Sequence, residues 1–122
     1  MTVSDVFDPK PLVWCGGSKA DFAAFPAAVQ REMGYALFLG QVGERHRTMA
    51  KTLAGFGGGG VAEVRKSHDG NDYRAVYTVR FAEAVYVLHA FQKKSKKGIA
   101  TPVAEMARVR SRLQRLAQER SG

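Results

Sequence analysis

Residues 61–91 read VAEVRKSHDGNDYRAVYTVRFAEAVYVLHAF, and this stretch decides the fold. Its first part, residues 61–65, alternates apolar and polar side chains as a half-buried strand does. The turn signal Asp-Gly-Asn-Asp at residues 69–72 separates it from a second alternating run, residues 73–80. Residues 84–91 are nearly continuous in apolar and β-branched side chains, which is typical of a central strand. The stretch therefore predicts a three-stranded antiparallel meander.

One strand and two helices are predicted ahead of the meander. Residues 11–14 form a short apolar run before a Gly-Gly pair, which indicates a strand. Ser18, with Asp21 three residues later, matches a capping box at the start of a first helix. Pro26 stops that helix and suits the first turn of a second. The apolar stripe of the second helix consists of Val29, Met33, Leu37 and Gly40. Residues 43–51 are charged and are expected to be irregular.

The chain ends in a predicted amphipathic helix, with Thr101 and Pro102 at its N-cap and first helical position. Its apolar stripe consists of Val103, Met106, Val109, Leu113 and Leu116. Four arginines lie off that stripe, namely Arg108, Arg112, Arg115 and Arg120. The order β-α-α-β-β-β-α predicts an α+β fold in which helices cover one face of a small, mainly antiparallel sheet. We expect residues 1–10 to form a loose arm and residues 11–120 a single domain.

The composition narrows the function. Nineteen Lys and Arg against eleven Asp and Glu give the 122-residue chain a net charge of +8, which attracts phosphate polyanions or an acidic protein partner. The single cysteine, Cys15, excludes an internal disulfide and a cysteine-rich zinc site. No apolar run reaches the roughly 18 residues that span a bilayer, and the polar start does not match a signal peptide. We expect a soluble, cytoplasmic protein without a metal or cofactor.

Two groups of cations are candidates for contact with phosphate. The densest cluster follows the meander and consists of Lys93, Lys94, Lys96 and Lys97. Such a run either attracts a polyanion or only keeps a surface loop solvated. Arg65 and Arg74 flank the predicted turn, so they should lie near the same end of the sheet. Their guanidinium groups suit phosphate oxygens, and a surface pairing with a neighbour such as Glu63 fits the pattern too.

Other chemistry has less support in the sequence. His89, two residues before the end of its predicted strand, is either a buried histidine with satisfied ring nitrogens or a group that exchanges protons. His46 and His68 stand at no metal-binding spacing from it. The glycine run 57–60 lacks the Lys-Ser/Thr of a P-loop, and Cys15 has no neighbour that would activate it. With these sites excluded, the sequence favours a basic sheet that acts on a phosphodiester backbone without a metal.

Several segments also match the pattern of one toxin family. They are Trp14 and Ser18, the Ala36-Leu37 pair, Gln41, residues 57–65, residues 73–77, and above all residues 87–102 with the sequence VLHAFQKKSKKGIATP. On these segments, over roughly residues 12–116, the chain resembles the phage-derived, HigB-type branch of the RelE/ParE toxin superfamily. The resemblance implies a RelE-like fold and the toxin of a bacterial type II toxin–antitoxin pair. It implies as partner a cognate antitoxin, often a helix-turn-helix protein.

The same resemblance implies an activity, since HigB-type relatives are endoribonucleases that cut mRNA on the ribosome. They need no metal, because the ribose 2′-OH attacks the adjacent phosphate. Such a reaction needs cations on the phosphate and groups that exchange protons. Arg65 and Arg74 fit the first need. Lys93 or Lys94, with a pKa lowered by neighbouring like charges, or His89, fits the second. The residues expected to bind RNA are Lys96 and Lys97, with Tyr73, Tyr77 and Phe91 as rings that stack on bases.

Two other functions remain open at this point. The same superfamily contains toxins that poison gyrase, so the chain could be a non-enzymatic toxin that binds a host protein. The chain could also be an inert accessory protein of a prophage, whose charge only keeps it in solution.

Overall fold

The computed structural model describes residues 8–94 and 102–121. Within these ranges the chain forms five strands and three helices. Their bounds in chain order are β1 (Leu12–Trp14), α1 (Ser18–Ala23), α2 (Ala27–Gln41), β2 (Ala50–Thr52), β3 (Val61–His68), β4 (Asn71–Thr78), β5 (Val85–Lys94) and α3 (Val103–Ser121). The fold is α+β, as predicted, with β2 as an additional strand that begins in the region expected to be irregular and ends one residue beyond it.

The sheet has the strand order β1-β5-β4-β3-β2. Its centre is the predicted antiparallel meander, in which His68 pairs with Asn71 across a two-residue turn. Asp69 and Gly70 both have positive φ, 49° and 77°, as the favoured two-residue hairpin turns require. The outer strand β1 pairs with β5 in parallel, and β2 pairs with β3 antiparallel. The turn fixes the register that later brings the charged side chains together.

Helices cover both faces of the sheet, so the expectation of a single covered face is wrong. The hairpin α1–α2 packs on one face, where Met33 and Leu37 meet Val64 and Tyr73. Helix α3 packs on the other face through residues of its predicted stripe. The buried stripe residues are Val109, Leu113 and Leu116, with Met106 partly buried beside them. Because side chains alternate along a strand, the meander supplies apolar residues to both layers.

The starts of the first and last helices differ from the prediction in detail. Ser18 does not form the capping box, because its hydroxyl donates to the carbonyl oxygen of Val87 at 3.1 Å and Gly17 takes the cap position. At the other end of the chain Val103, expected in the core stripe, is 87% exposed. The predicted cap residue Thr101 lies outside the described residues, as do residues 1–7 of the predicted arm. Lys10, the last residue of that arm, bonds through its backbone to Gln41 at the end of α2.

No helix in the described ranges is both long and apolar enough to cross a membrane.

The packing of α3 predicts a clear difference between two of its apolar residues. Leu113→Ala removes a side chain that is only 7% exposed and should lower the free energy of unfolding by about 2–5 kcal/mol. Val103→Ala is the matched control, since its exposed side chain should change stability by less than about 0.5 kcal/mol. Urea unfolding of both variants measures the difference. Equal stability of the two variants would show that α3 does not pack on the sheet.

Candidate functional site

The predicted cations meet on the face of the sheet that α3 partly covers. Arg65 of β3 pairs directly with Arg74 of β4, and Arg74 pairs with Phe91 of β5. One row further along, Asp72 of β4 pairs with Lys93 of β5. Side chains two residues apart on a strand share a face, so the row of Arg65, Arg74 and Phe91 and the row of Asp72 and Lys93 are neighbours on this face. The prediction that Arg65 and Arg74 lie near the same end of the sheet is confirmed.

A buried carboxylate joins the two arginines. The Oδ1 atom of Asp72 accepts from Nε of Arg65 at 3.0 Å, while Oδ2 accepts from Nε and Nη2 of Arg74 at 3.1 and 2.9 Å. On its other side, Nη1 of Arg74 lies 3.7 Å from Oε2 of Glu63. Asp72, Arg74 and Glu63 are each at most 3% exposed. Charges this deeply buried are tolerated only when they are paired, so the network holds its members in place.

The two arginines consequently differ in what they can do. Arg74 is buried between two carboxylates, so the expectation that both arginines are exposed is wrong for this residue. The alternative of a pairing with Glu63 is confirmed for it. The side chain of Arg65 is 47% exposed, and Asp72 holds it by Nε, the nitrogen nearest the chain. Arg65 is therefore the arginine of the pair that a ligand can reach.

Lys93 lies beside this network, opposite Asp72 in the sheet. Partial desolvation lowers the pKa of Lys93 from its ordinary value, and the guanidinium groups of Arg74 and Arg65 lower it further. Asp72 and Glu63 oppose the shift and do not cancel it. A lowered pKa was expected from like charges. Desolvation is the largest cause of the lowered pKa, and the like charges that add to it are those of the two arginines.

The other lysines of the basic run carry less structural information. Lys94 ends β5, but its side chain is not among those the structure describes. Lys96 and Lys97 lie outside the described residues.

His89 lies on the same face as Phe91 because the two residues are two positions apart in β5, and a bulge adjoins His89. The register shifts between Val76 and Tyr77 of β4, so that Val76 pairs with His89 and Tyr77 pairs with Val87. The extra residue, Leu88, packs in the α3 layer next to His89. Bulges commonly turn a side chain toward a functional surface, and this one brings two consecutive residues of β5 to α3.

Both ring nitrogens of His89 have partners on α3. Nε2 lies 2.7 Å from Oε1 of Glu105, and Nδ1 lies 3.2 Å from Nη1 of Arg112. Arginine can only donate, so Nδ1 accepts and the ring proton sits on Nε2, where Glu105 accepts it. The Arg112 group also donates to the carbonyl oxygen of Leu88 at 2.9 Å. His89 is thus a buried, satisfied histidine that ties α3 to the sheet, one of the two interpretations drawn from the sequence.

The three aromatic residues expected to stack on bases are core residues. Tyr73 is 5% exposed and packs against Phe25 with ring centroids 4.9 Å apart. Tyr77 is buried in the same layer, and burial raises the pKa of its hydroxyl. Phe91 is buried in the α3 layer and stacks on His89 at 5.2 Å. Their burial corrects the expectation of exposed rings.

Sequence reasoning missed the residues that organise the site, namely Asp72, Glu105 and Arg112. Asp72 was read as part of a turn, although its position two residues before Arg74 places both on one face of a strand. Glu105 and Arg112 lie on α3, whose contact with β5 depends on which face of the sheet that helix covers. With Phe91 and Arg108, His89 and Glu105 line a cavity of about 290 Å³ next to the network.

Within the described residues, no three His, Cys, Asp or Glu side chains come together closely enough to hold a metal ion.

Comparison with known proteins places the chain in a family. A family model described as "Phage derived protein Gp49-like (DUF891)" matches residues 20–114. The chain belongs to this Gp49-like family. The match runs from α1 into α3, so it includes the Arg65–Asp72–Arg74 network, Lys93 and His89. No curated protein and no solved structure matches the chain.

The buried network makes the two aspartates around the hairpin turn unequal. Asp72→Asn keeps the shape of the side chain but removes the charge between two arginines, so it should cost about 3–5 kcal/mol of unfolding free energy. Asp69→Asn, at the exposed turn, is the matched control and should cost under about 1 kcal/mol. Urea unfolding at neutral pH gives both values. If the unfolding free energy of Asp72→Asn equalled that of Asp69→Asn, the buried network would be contradicted.

Proposed function

We propose that this Gp49-like chain is the toxin of a type II toxin–antitoxin pair and acts as a ribosome-dependent mRNA endoribonuclease. The observation that supports the proposal best is that a half-exposed arginine, Arg65, and a lysine of lowered pKa, Lys93, lie on the same face of the sheet on either side of Asp72. The proposed reaction is attack of the ribose 2′-OH on the adjacent phosphate, which needs no metal. Membership of a phage-derived family and the net charge of +8 agree with it.

Arg65 is proposed to hold the scissile phosphate. Asp72 takes its Nε, which orients the guanidinium and leaves Nη1 and Nη2 for two phosphate oxygens. Charge builds up on those oxygens as the 2′-oxygen attacks, and a donor already held in place stabilises that charge more than solvent does. Arg74 contributes through Asp72, as a positioning residue that fixes the carboxylate holding Arg65.

Lys93 is proposed to take the proton from the 2′-OH. A general base must be neutral before the reaction, and a lowered pKa raises the neutral fraction of Lys93 at a given pH. The 2′-oxygen then forms a bond to phosphorus, the bond to the 5′-oxygen breaks, and that oxygen takes up a proton from solvent. The products are a 2′,3′-cyclic phosphate and a 5′-hydroxyl end. His89 is left out of proton transfer, since both of its nitrogens are engaged by α3.

The remaining positive charge is proposed to hold the RNA and the protein partners. Lys94, Lys96 and Lys97 continue the chain directly beyond Lys93, where they would contact the phosphates of the strand. The ribosome would present the mRNA in the cytoplasm. The proposed protein partner is a cognate antitoxin that contains or is joined to a helix-turn-helix domain. An acidic segment of this antitoxin would cover the same surface.

Removal of Arg65 is expected to abolish most cleavage without unfolding the protein. Arg65→Ala should lower the rate of mRNA cleavage on purified programmed ribosomes by about 10²–10³-fold. Arg65→Lys should recover only part of the rate, because an ammonium group does not bind two phosphate oxygens in a fork. The control is Arg31→Ala. Arg31 is an exposed arginine on α2, so this variant loses the same charge and should cleave mRNA like the parent chain.

The cleavage assay separates the proposal from its alternatives. Equal rates for Arg65→Ala and Arg31→Ala, with both variants folded by thermal melting, would mean that Arg65 does not act on the phosphate. A parent chain that arrests growth but leaves every transcript intact would favour a toxin that binds a host protein such as gyrase.

The pH dependence of cleavage tests the role of Lys93. If Lys93 acts as a neutral amine, the rate should rise with pH through its lowered pKa and then level off. Loss of a neighbouring positive charge in Arg65→Gln should raise that pKa, so the rising limb should move to higher pH. Lys93→Ala should lose the limb and about 10²–10⁴-fold in rate. A limb that persists in Lys93→Ala would assign proton transfer to another group.

A further inference from the structure

A second cavity, of about 490 Å³, opens between the turn after β1 and helix α3. Its walls include Trp14 and Cys15 at the end of β1, Tyr86 of β5, and three arginines of α3. This volume is in the range of cavities that hold small organic ligands. It lies apart from Arg65 and Lys93, neither of which lines it. The two residues proposed to act on the scissile phosphate are therefore not part of this cavity.

The arginines give this cavity its charge. Arg108, Arg112 and Arg115 are four and three residues apart, a spacing that puts them on one side of a helix. Glu119 also lines the cavity, so the four side chains sum to a net charge of +2. Across the described ranges, no hydrogen bond or ion pair engages Arg108 or Arg115. Two guanidinium groups without a protein acceptor thus face the same space.

The third arginine is held rigidly by the backbone. Arg112 donates to the carbonyl oxygen of Leu88, and it passes so close to Gly16 that a Cβ atom there would lie 2.8 Å from its Nε. Gly16 has a φ of +54°, a conformation that side chains other than glycine rarely adopt. The turn after β1 is therefore shaped around the guanidinium, which closes the inner wall of the cavity.

The opposite wall carries one aromatic ring. Tyr86 lines the cavity and is partly exposed, and its hydroxyl donates to Glu83 at 2.8 Å, whereas the indole of Trp14 packs on Phe22 in the other layer. A guanidinium pair suits a phosphate, while a phenol ring suits a flat base. We propose that this cavity binds a nucleotide, with its phosphate on Arg108 and Arg115 and its base beside Tyr86. The proposal does not rest on the proposed ribonuclease function.

The nucleotide has two conceivable sources with the same chemistry, a free mononucleotide or one residue of an RNA strand. Arg108 also lines the smaller cavity beside His89, so a strand could pass from the candidate site into this cavity. AMP and a short oligoribonucleotide distinguish the two sources. Binding of AMP alone identifies a mononucleotide site, while binding of the oligonucleotide only identifies an extended RNA site. Either result supports the proposal.

The chain carries two built-in reporters of this cavity, because Trp14 is its single tryptophan and Cys15 its single cysteine. The folded protein is titrated with each probe while Trp14 fluorescence is recorded. In parallel, the rate of Cys15 alkylation by uncharged iodoacetamide is measured with and without the probe. Burial raises the pKa of the Cys15 thiol, so alkylation is followed at mildly alkaline pH. Bound nucleotide should change the fluorescence and slow the alkylation.

Variants of the exposed arginines make the test specific. Arg115→Ala and Arg108→Ala should each weaken binding by about 10–100-fold, the range for loss of a charged hydrogen bond. Arg31→Ala on α2 is the control for lost charge and should bind like the parent chain. Arg65→Ala should also keep full binding of AMP while losing cleavage, since Arg65 does not line this cavity, so failure of one proposal is distinguishable from failure of the other.

Two results would overturn the proposal. In the first, neither AMP nor the oligoribonucleotide changes Trp14 fluorescence or protects Cys15 in the folded chain. In the second, Arg115→Ala and Arg108→Ala bind the probe as tightly as Arg31→Ala does. Thermal melting of each variant confirms that the comparison is made between folded proteins.

Discussion

The carboxylate of Asp72 accepts hydrogen bonds from Arg65 and Arg74 at 2.9 to 3.1 Å, and the geometry of the candidate site depends on these bonds. The carboxylate is almost fully buried, and the two guanidinium groups supply the pairing that a buried carboxylate needs. The two-residue turn at Asp69 and Gly70 sets the register that makes this arrangement possible. Local backbone conformation thus determines where the charges of the site lie.

One network gives three cations three different roles. Arg74 is fully paired and holds the carboxylate, Arg65 is held at one nitrogen and stays half exposed, and Lys93 loses basicity beside both. The proposed cleavage uses this difference, because Arg65 would hold the phosphate and the lowered pKa of Lys93 favours its role as a base. Helix α3 holds His89 in place beside the bulge of β5, because Glu105 and Arg112 each contact one nitrogen of its ring.

Patterns that depend on neighbours in sequence were predicted correctly, and those that depend on tertiary packing were not. The meander, the hairpin turn and the proximity of Arg65 to Arg74 follow from alternation and turn chemistry alone. The burial of Arg74 does not, because it depends on the carboxylates of Asp72 and Glu63 that enclose the guanidinium. The burial of Tyr73 depends on the α1–α2 hairpin and that of Phe91 on α3, and the strand pattern alone does not show which helix covers which face. The short strand β2 has too few residues for an alternating pattern.

The central claim is that the site cuts translated mRNA, and the ends of transcripts test it most directly. The parent chain is expressed from an inducible promoter together with a reporter transcript, in versions with and without a start codon. The account predicts new ends carrying a 5′-hydroxyl and a 2′,3′-cyclic phosphate within the translated reading frame, and none in the untranslated version. Growth arrest with both reporters intact, or equal cleavage of both, would contradict it.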